Sequence, residues 1–332
     1  MTIRVLRPGV QTTVQDRGRW GWQRYGIIVG GAMDAESYRT ANLLVGNEDD
    51  CAAIEMTLVG ATLAFDADTL IAICGADMSP TVEQKPLPMN RPVLLRCGTT
   101  LTCLAAHVGC RAYLAVAGGI DVPLVLGSRS TYTRANLGGF AGRSLKSGDE
   151  LNIGITTEAS RQIMDRLAAT SAQPLVSTKR SLGPAWSVHA EPVARVLAGS
   201  EFDWFTPASQ QLLQNSEFEI GTKSDRMGYR LAGPTLEFAS PRELISEGVC
   251  PGTLQVPANG QPILLMADCA TTGGYAKIAH VISADLPIVA QLRPGEKLRF
   301  EMTTMEVAEQ SLRERDAEFE RRRLAVASLL NQ

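Results

Sequence analysis

Through most of the chain, hydrophobic residues come in short runs closed by Gly, Pro or Asp, as in Leu70 to Cys74, Val93 to Arg96, Leu101 to Ala105 and Ala112 to Val116. Runs of this length with such ends predict β-strands. Two segments read differently. From Thr304 to Leu330 there is no Gly or Pro, and Val307, Leu312, Phe319, Leu324 and Leu329 recur on a helical pattern. From Met33 to Leu44, Asp34 and Glu36 suit a helix start and Gly46 and Asn47 suit its end. The reading is therefore a mainly β protein with few helices, the last of them C-terminal.

The strand pattern repeats. Arg4-Val5-Leu6 before Gly9 is answered by Arg195-Val196-Leu197 before Gly199, and Leu58 to Phe65 by Leu231 to Phe238. Leu145 to Leu151 is answered by Leu292 to Leu298, so the three echoes keep one order. Two related β-rich halves are the simplest account. Thr156 to Pro184 is weakly apolar, with one short helical stretch at Ala159 to Ala168, and reads as a connector. The expected organisation is an N-terminal β domain over 1–155, the connector over 156–184, a C-terminal β domain over 185–302 and a helix over 303–332. Short strands argue against a doubly wound parallel sheet.

A length of 332 residues agrees with more than one core, and 45% hydrophobic with 20% charged residues is the balance of a folded globular chain. The net charge of -3 and the absence of a basic stripe exclude nucleic acid as an expected partner. The basic run Arg321 to Arg323 alternates with Glu318 and Glu320 as a solvated helix face would. The first residues carry no signal-peptide core, and the apolar stretch Tyr113 to Gly127 is short and broken by Asp121 and Pro123. A cytoplasmic protein that does not enter membranes is expected. The seven cysteines show no CxxC spacing, and His107, His189 and His280 stand far apart, so no metal site is expected.

Common catalytic motifs are missing. No two glycines are separated by a single residue, which removes the dinucleotide fingerprint, and GxxxxGK[ST], GxSxG and SxxK are absent too. What remains is a set of polar segments punctuated by glycine. Gly118-Gly119 leads into Gly127-Ser128-Arg129-Ser130, where Arg129 and Ser130 can hold a carboxylate or phosphate. The same residues also describe a turn whose arginine pairs with a nearby acid. In Ser224-Asp225-Arg226, Asp225 can orient or deprotonate and Arg226 can clamp an anion; alternatively an Asp–Arg pair holds the turn, with Gly228 supplying its backbone angle. Gln255 precedes Thr271-Thr272-Gly273-Gly274-Tyr275, whose hydroxyls and glycines suit an anion nest to which Lys277 can add charge, or a capped β turn. Glu55 reads as structural rather than catalytic.

At these same segments the chain resembles a known family. The runs GAMD (31–34), ANLLVGN (41–47), AYLAVAGGIDVP (112–123), LGSRSTY (126–132), SDRMGYRL (224–231), QVPANGQPI (255–263) and TTGGYAKIA (271–279) are similar to those of the family formed by the 5-oxoprolinase C subunit and allophanate hydrolase subunit 2, within the biotin-dependent carboxyltransferases. The resemblance implies cyclophilin-like β-barrel units and a partner like allophanate hydrolase subunit 1, which is the 5-oxoprolinase B subunit. It further implies the 5-oxoprolinase A subunit and ATP-dependent opening of 5-oxoproline to glutamate, with ATP bound in the complex and by either this chain or a partner. In that setting Asp225 and Arg226 become catalytic candidates, while Arg129, Ser130, Ser224, Gln255, Thr271, Thr272, Gly273 and Tyr275 become substrate-binding candidates. Two other readings stay open: a carboxyltransferase component acting on urea or another amide, with biotin arriving on another chain because no Met-Lys pair occurs here, and a regulatory protein that binds a partner like allophanate hydrolase subunit 1.

Overall fold

The computed structural model describes residues 1–183, 192–240 and 242–330. His189, the expected join at 184/185 and the side chain of Leu329 lie outside the described residues. The chain divides into two compact units, one built from the described residues of Met1–Gly18, Asp34–Ser187 and Glu318–Gln332, the other from those of Arg19–Met33 and Val188–Ala317. Each unit thus takes in a piece of chain that is remote in sequence from its main part.

The first unit spreads its strands over two six-stranded sheets. One runs in the order Glu150–Asn152, Thr2–Arg7, Thr62–Phe65, Thr100–Thr102, Thr81–Val82, Lys85–Pro86, and the other in the order Leu175–Ser177, Val93–Leu95, Thr69–Asp77, Val108–Val116, Ala53–Thr57, Gln11–Gln15. Ile3, Val5, Leu63 and Leu101 of the first sheet share one buried cluster with Ile54, Ile71, Ile73 and Leu114 of the second. Removing such side chains from water contributes about 1.5–3 kcal/mol each. The helix Ala35–Leu44 begins where expected because Asp34 accepts hydrogen bonds from the backbone N–H groups of Glu36 and Ser37, at 3.1 and 3.0 Å.

The second unit closes into a seven-stranded barrel: Val193–Ala198, Ala276–Val281, Thr253–Val256, Ile263–Leu265, Gly228–Ala232, Glu217–Ile220 and Lys297–Met302. Closure removes the exposed strand edges that an open sheet would leave. Val196, Phe218, Leu231, Leu254, Leu264, Ile278, Leu298 and Phe300 are buried together in its core. The echoes do not pair alike in the two units. In the first, Arg4 lies antiparallel opposite Glu150 of the third echo, whereas in the second Arg195 lies parallel opposite Glu301, beyond the third echo, whose Lys297 and Leu298 face Glu219 and Phe218.

The connector region contains the helix Glu158–Thr170 and the strand Leu175–Ser177, which pairs with Val93–Leu95. The last helix spans Met305–Leu330. Of the apolar positions expected on it, Phe319 is buried, while Val307, Leu312 and Leu324 are exposed. Phe319 is packed under the Arg39 guanidinium, 3.7 Å from the ring centre.

Candidate functional site

In the first unit, the segment Gly127 to Ser130 is organised by a residue the sequence did not single out. Asp16 follows the strand Gln11–Gln15, and its Oδ1 accepts from the hydroxyls of Ser128 (2.7 Å) and Ser130 (2.5 Å) and from the Gly18 N–H (2.8 Å). Its Oδ2 accepts from the backbone N–H of Arg129 at 2.5 Å. Asp16, Ser128 and Ser130 are buried. The acid near Arg129 therefore holds the arginine's backbone rather than its guanidinium. That guanidinium is half-buried and donates through Nε to the Val122 carbonyl at 3.2 Å. The local signal was an Asp two residues before a Gly, the spacing of a side chain that bonds its own turn.

Glu55 sits in the same unit as an interior group. The Tyr113 hydroxyl donates to it at 2.8 Å and accepts from the Asp34 N–H at 2.8 Å, and all three residues are buried. Burial, with the charges of Glu55 and Asp34 nearby, holds the Tyr113 phenol well above its usual range, so it stays a neutral donor.

In the second unit Arg226 is tied to Asp268. Its Nε and Nη2 reach the two carboxylate oxygens at 2.9 and 2.8 Å, and both residues are 4% exposed, which makes this a desolvated two-point pair. Nη2 also donates to the Gly31 carbonyl at 2.6 Å. The backbones meet as well, through Asp268 N–H to Arg226 O at 2.8 Å, while Gly30 N–H reaches Ala267 O at 3.1 Å. Arg226 thereby fastens the Arg19–Met33 excursion to the barrel it belongs to. Asp225 is exposed and accepts from the N–H groups of Met227 and Gly228, at 2.8 and 3.3 Å, forming the turn. The Ser224 hydroxyl accepts from Arg230 N–H at 3.1 Å.

The remaining candidates gather on one side of the barrel. Gln255 lies on the strand Thr253–Val256, is 5% exposed, and donates through Nε2 to the Tyr275 carbonyl at 3.3 Å. Thr272–Gly273 pairs with the short strand Glu247–Gly248. Gly273 is closely packed against this side chain, since a Cβ there would stand 2.4 Å from Gln255 Nε2 and the amide would have to move aside. Lys277 reaches Glu201 at 2.9 Å and Glu247, two carboxylates distant in sequence that no local motif announces.

At the end of the barrel where Val256 and Ala276 lie, a cavity of about 320 Å³ is walled by Trp204, Phe238 and Tyr275. Arg242 stands at this cavity with its guanidinium 5.0 Å from the centre of the Trp204 ring, and Glu243 beside it. Apolar walls with a few polar groups in a barrel mouth suit a small ligand whose ring packs on the aromatics and whose charge meets the arginine. Burial pushes the thiols of Cys103 and Cys269 up to about 12, which leaves them as packing groups rather than nucleophiles. Among the described residues, no cluster of His, Cys, Asp and Glu could hold a metal ion, and no helix is long and apolar enough to cross a membrane.

The site residues thus divide by unit. Arg129 and Ser130 belong to the first, and Ser224, Asp225, Arg226, Gln255, Thr271, Thr272, Gly273 and Tyr275 to the second.

Comparison with known proteins places this architecture. The family model for the carboxyltransferase domain, subdomain A and B, matches residues 25–302. The 5-oxoprolinase C subunit of Escherichia coli (strain K12) is 39% identical over 318 residues, which are 96% of this chain and 96% of that protein. Urea amidolyase of Saccharomyces cerevisiae is 33% identical over 311 residues, which cover 90% of this chain but only 16% of that protein. The crystal structure of the Kluyveromyces lactis urea carboxylase superposes with a TM-score of 0.85 at 31% identity, covering 97% of this chain and 29% of that one. A match of this extent, in sequence and in fold, means that the chain belongs to the carboxyltransferase domain family, subdomains A and B.

Proposed function

We propose that this chain is the C subunit of a multi-subunit 5-oxoprolinase, which hydrolyses 5-oxoproline to glutamate with consumption of ATP. The observation that carries this reading is end-to-end similarity: the bacterial C subunit is matched over 96% of its own length, whereas the yeast urea amidolyase is matched over 16%. The partners are the 5-oxoprolinase B subunit, a protein like allophanate hydrolase subunit 1, together with the A subunit of the same enzyme. ATP is a substrate of the assembled enzyme, bound in the complex by this chain or by a partner.

The chemistry explains why anion-holding groups are useful here. An unstrained lactam is a poor electrophile, and transfer of the terminal phosphoryl group of ATP to its carbonyl oxygen makes the carbon open to water. Attack by one water and cleavage of the C–N bond then leave the ring nitrogen as the amino group of glutamate and the side-chain carboxyl as an acyl phosphate, which a second water hydrolyses to carboxylate and phosphate. Negative charge accumulates on oxygen along this route and is lowered in energy by fixed donors. In this proposal Arg129 of the first unit holds an anionic group, with Ser130 steadying its segment through Asp16, and in the second unit Gln255, Thr271, Thr272, Gly273 and Tyr275 bind the substrate. Ser224 and Asp225 orient the reacting groups. Arg226 acts from its buried pair with Asp268 as a positioning residue.

A second reading, carboxyl transfer to urea or a related amide from biotin carried on another chain, is favoured by the fold match to urea carboxylase. Co-expression with the two partner proteins separates them. The oxoprolinase reading expects a stable complex that releases glutamate from 5-oxoproline only when ATP is present, and no turnover by this chain alone. A complex that consumes ATP with urea and bicarbonate while leaving 5-oxoproline untouched would support the second reading instead.

A further inference from the structure

Lys277 stands on the barrel strand Ala276–Val281 between the core residues Ala276 and Ile278, so its side chain points away from the barrel interior. That side chain is nevertheless only 5% exposed, because two carboxylates lie against it. They are held very differently. Glu201 is 6% exposed at its side chain, meets the ammonium at 2.9 Å, and also accepts the backbone N–H of Lys277 at 2.9 Å. Glu247 is 49% exposed and comes from the two-residue strand Glu247–Gly248, whose only ladder partner among the described residues is Thr272–Gly273.

Charge makes the second carboxylate surplus. Glu201 alone balances Lys277, and burial with Lys277 nearby lowers the pKa of the neighbouring His280, which therefore adds no positive charge at neutral pH. One ammonium with two carboxylates carries one excess negative charge, and the surplus carboxylate, Glu247, is the one open to solvent. A further anion would not be added to such a cluster, but one can be exchanged: replacing the Glu247 carboxylate by another leaves the buried charge unchanged and strands no ammonium. The setting suits a ligand. Thr272 and Gly273 run alongside Glu247, and the buried amide of Gln255 packs against Gly273.

We propose that the position Glu247 occupies on Lys277 is a subsite for the carboxylate of a small-molecule ligand, and that Glu247 is an internal stand-in which the ligand displaces. Lys277 is then a substrate-binding residue, and Glu201 is the fixed counter-ion that keeps it charged. The inference deepens the oxoprolinase reading and rests on it only for the identity of the carboxylate.

The test is calorimetric binding of cyclopentanecarboxylate, 5-oxoproline and uncharged cyclopentanecarboxamide to the full chain and its variants. Removing the stand-in by Glu247→Gln is expected to raise affinity for both carboxylates at least about tenfold, leave the carboxamide unbound, and lose the gain in the neutral double variant Lys277→Met with Glu201→Gln. A gain for cyclopentanecarboxylate with none for 5-oxoproline upholds the subsite and counts against the oxoprolinase reading alone. Unchanged affinity for both carboxylates in a folded Glu247→Gln protein overturns the subsite. If neither Glu247→Gln nor Glu247→Ala folds, Glu247 is a structural counter-ion and the subsite is likewise overturned.

Discussion

Arg226 and Asp268 face each other through two parallel hydrogen bonds of 2.9 and 2.8 Å in a setting where each is 4% exposed. A third bond, from the same guanidinium to the Gly31 carbonyl, spans 195 positions of sequence. A lysine cannot reproduce this arrangement, since it offers a point charge in place of a planar fork. Arg226→Lys is expected to cost about 2 kcal/mol of stability, the scale of a lost charge-assisted bond, and so to lower the melting temperature of the isolated chain by several degrees, with activity of the complex falling alongside. Thermal unfolding of the variant checks this; a wild-type melting temperature with lost activity would instead make Arg226 a direct anion clamp.

Asp16 and Arg129 are expected to separate stability from function. Asp16→Ala leaves two buried hydroxyls and the Arg129 N–H without their acceptor, so the chain should lose about 3 kcal/mol or more. Arg129→Ala gives up one side-chain bond to Val122 O and should unfold within about 1 kcal/mol of the parent, while activity of the complex falls by about tenfold or more. Denaturant unfolding beside glutamate release measures both. Full activity in the Arg129→Ala complex would remove the arginine from the site.

The short ribbon offers a matched pair of glycines. A Cβ at Gly273 would lie 2.4 Å from Gln255 Nε2 and 3.2 Å from its Cδ, whereas a Cβ at Gly248 meets nothing within 4 Å. Gly273→Ala should therefore displace the Gln255 amide and cost about 1–3 kcal/mol by overpacking, together with activity. Gly248→Ala should be close to neutral. Equal effects in the two variants would show that Gln255 yields without consequence.

His280 gives a pH dependence. Burial first, and Lys277 second, hold its folded pKa below the usual value of about 6.5 for the unfolded chain. Between those two values the unfolded chain binds the extra proton, so the neutral histidine's contribution is complete above about pH 6.5 and is lost as pH falls toward the lower folded value. Melting temperatures of wild type and His280→Gln should thus converge on acidification from pH 7 to pH 5. A gap that widens over that range would contradict the neutral assignment.

Much of the architecture could be read from the chain because it rests on local pattern. Short bounded apolar runs became strands, Asp34 caps the helix it was expected to start, and the long helix without Gly or Pro formed at Met305–Leu330. Residues whose roles come from distant partners could not be read. Nothing near Asp16 says that it collects Ser128 and Ser130 from 112 and 114 positions away, and nothing near Lys277 announces Glu201. The segment Arg19–Met33 joins the barrel unit through pairs such as Arg226–Gly31, which periodicity does not encode. The echoes were visible in the order of residues, yet their strand partners were not, because the same apolar alternation can be buried against different neighbours in the two units.

The central claim is lactam hydrolysis by a complex that contains this chain, as opposed to carboxyl transfer. The most direct measurement is glutamate release from 5-oxoproline by the reconstituted three-protein assembly, with ATP, in bicarbonate-free buffer containing avidin. The account predicts full ATP-dependent glutamate formation under these conditions and none from this chain alone. Activity that appears only with bicarbonate and disappears with avidin, or an assembly inert toward 5-oxoproline, would contradict it.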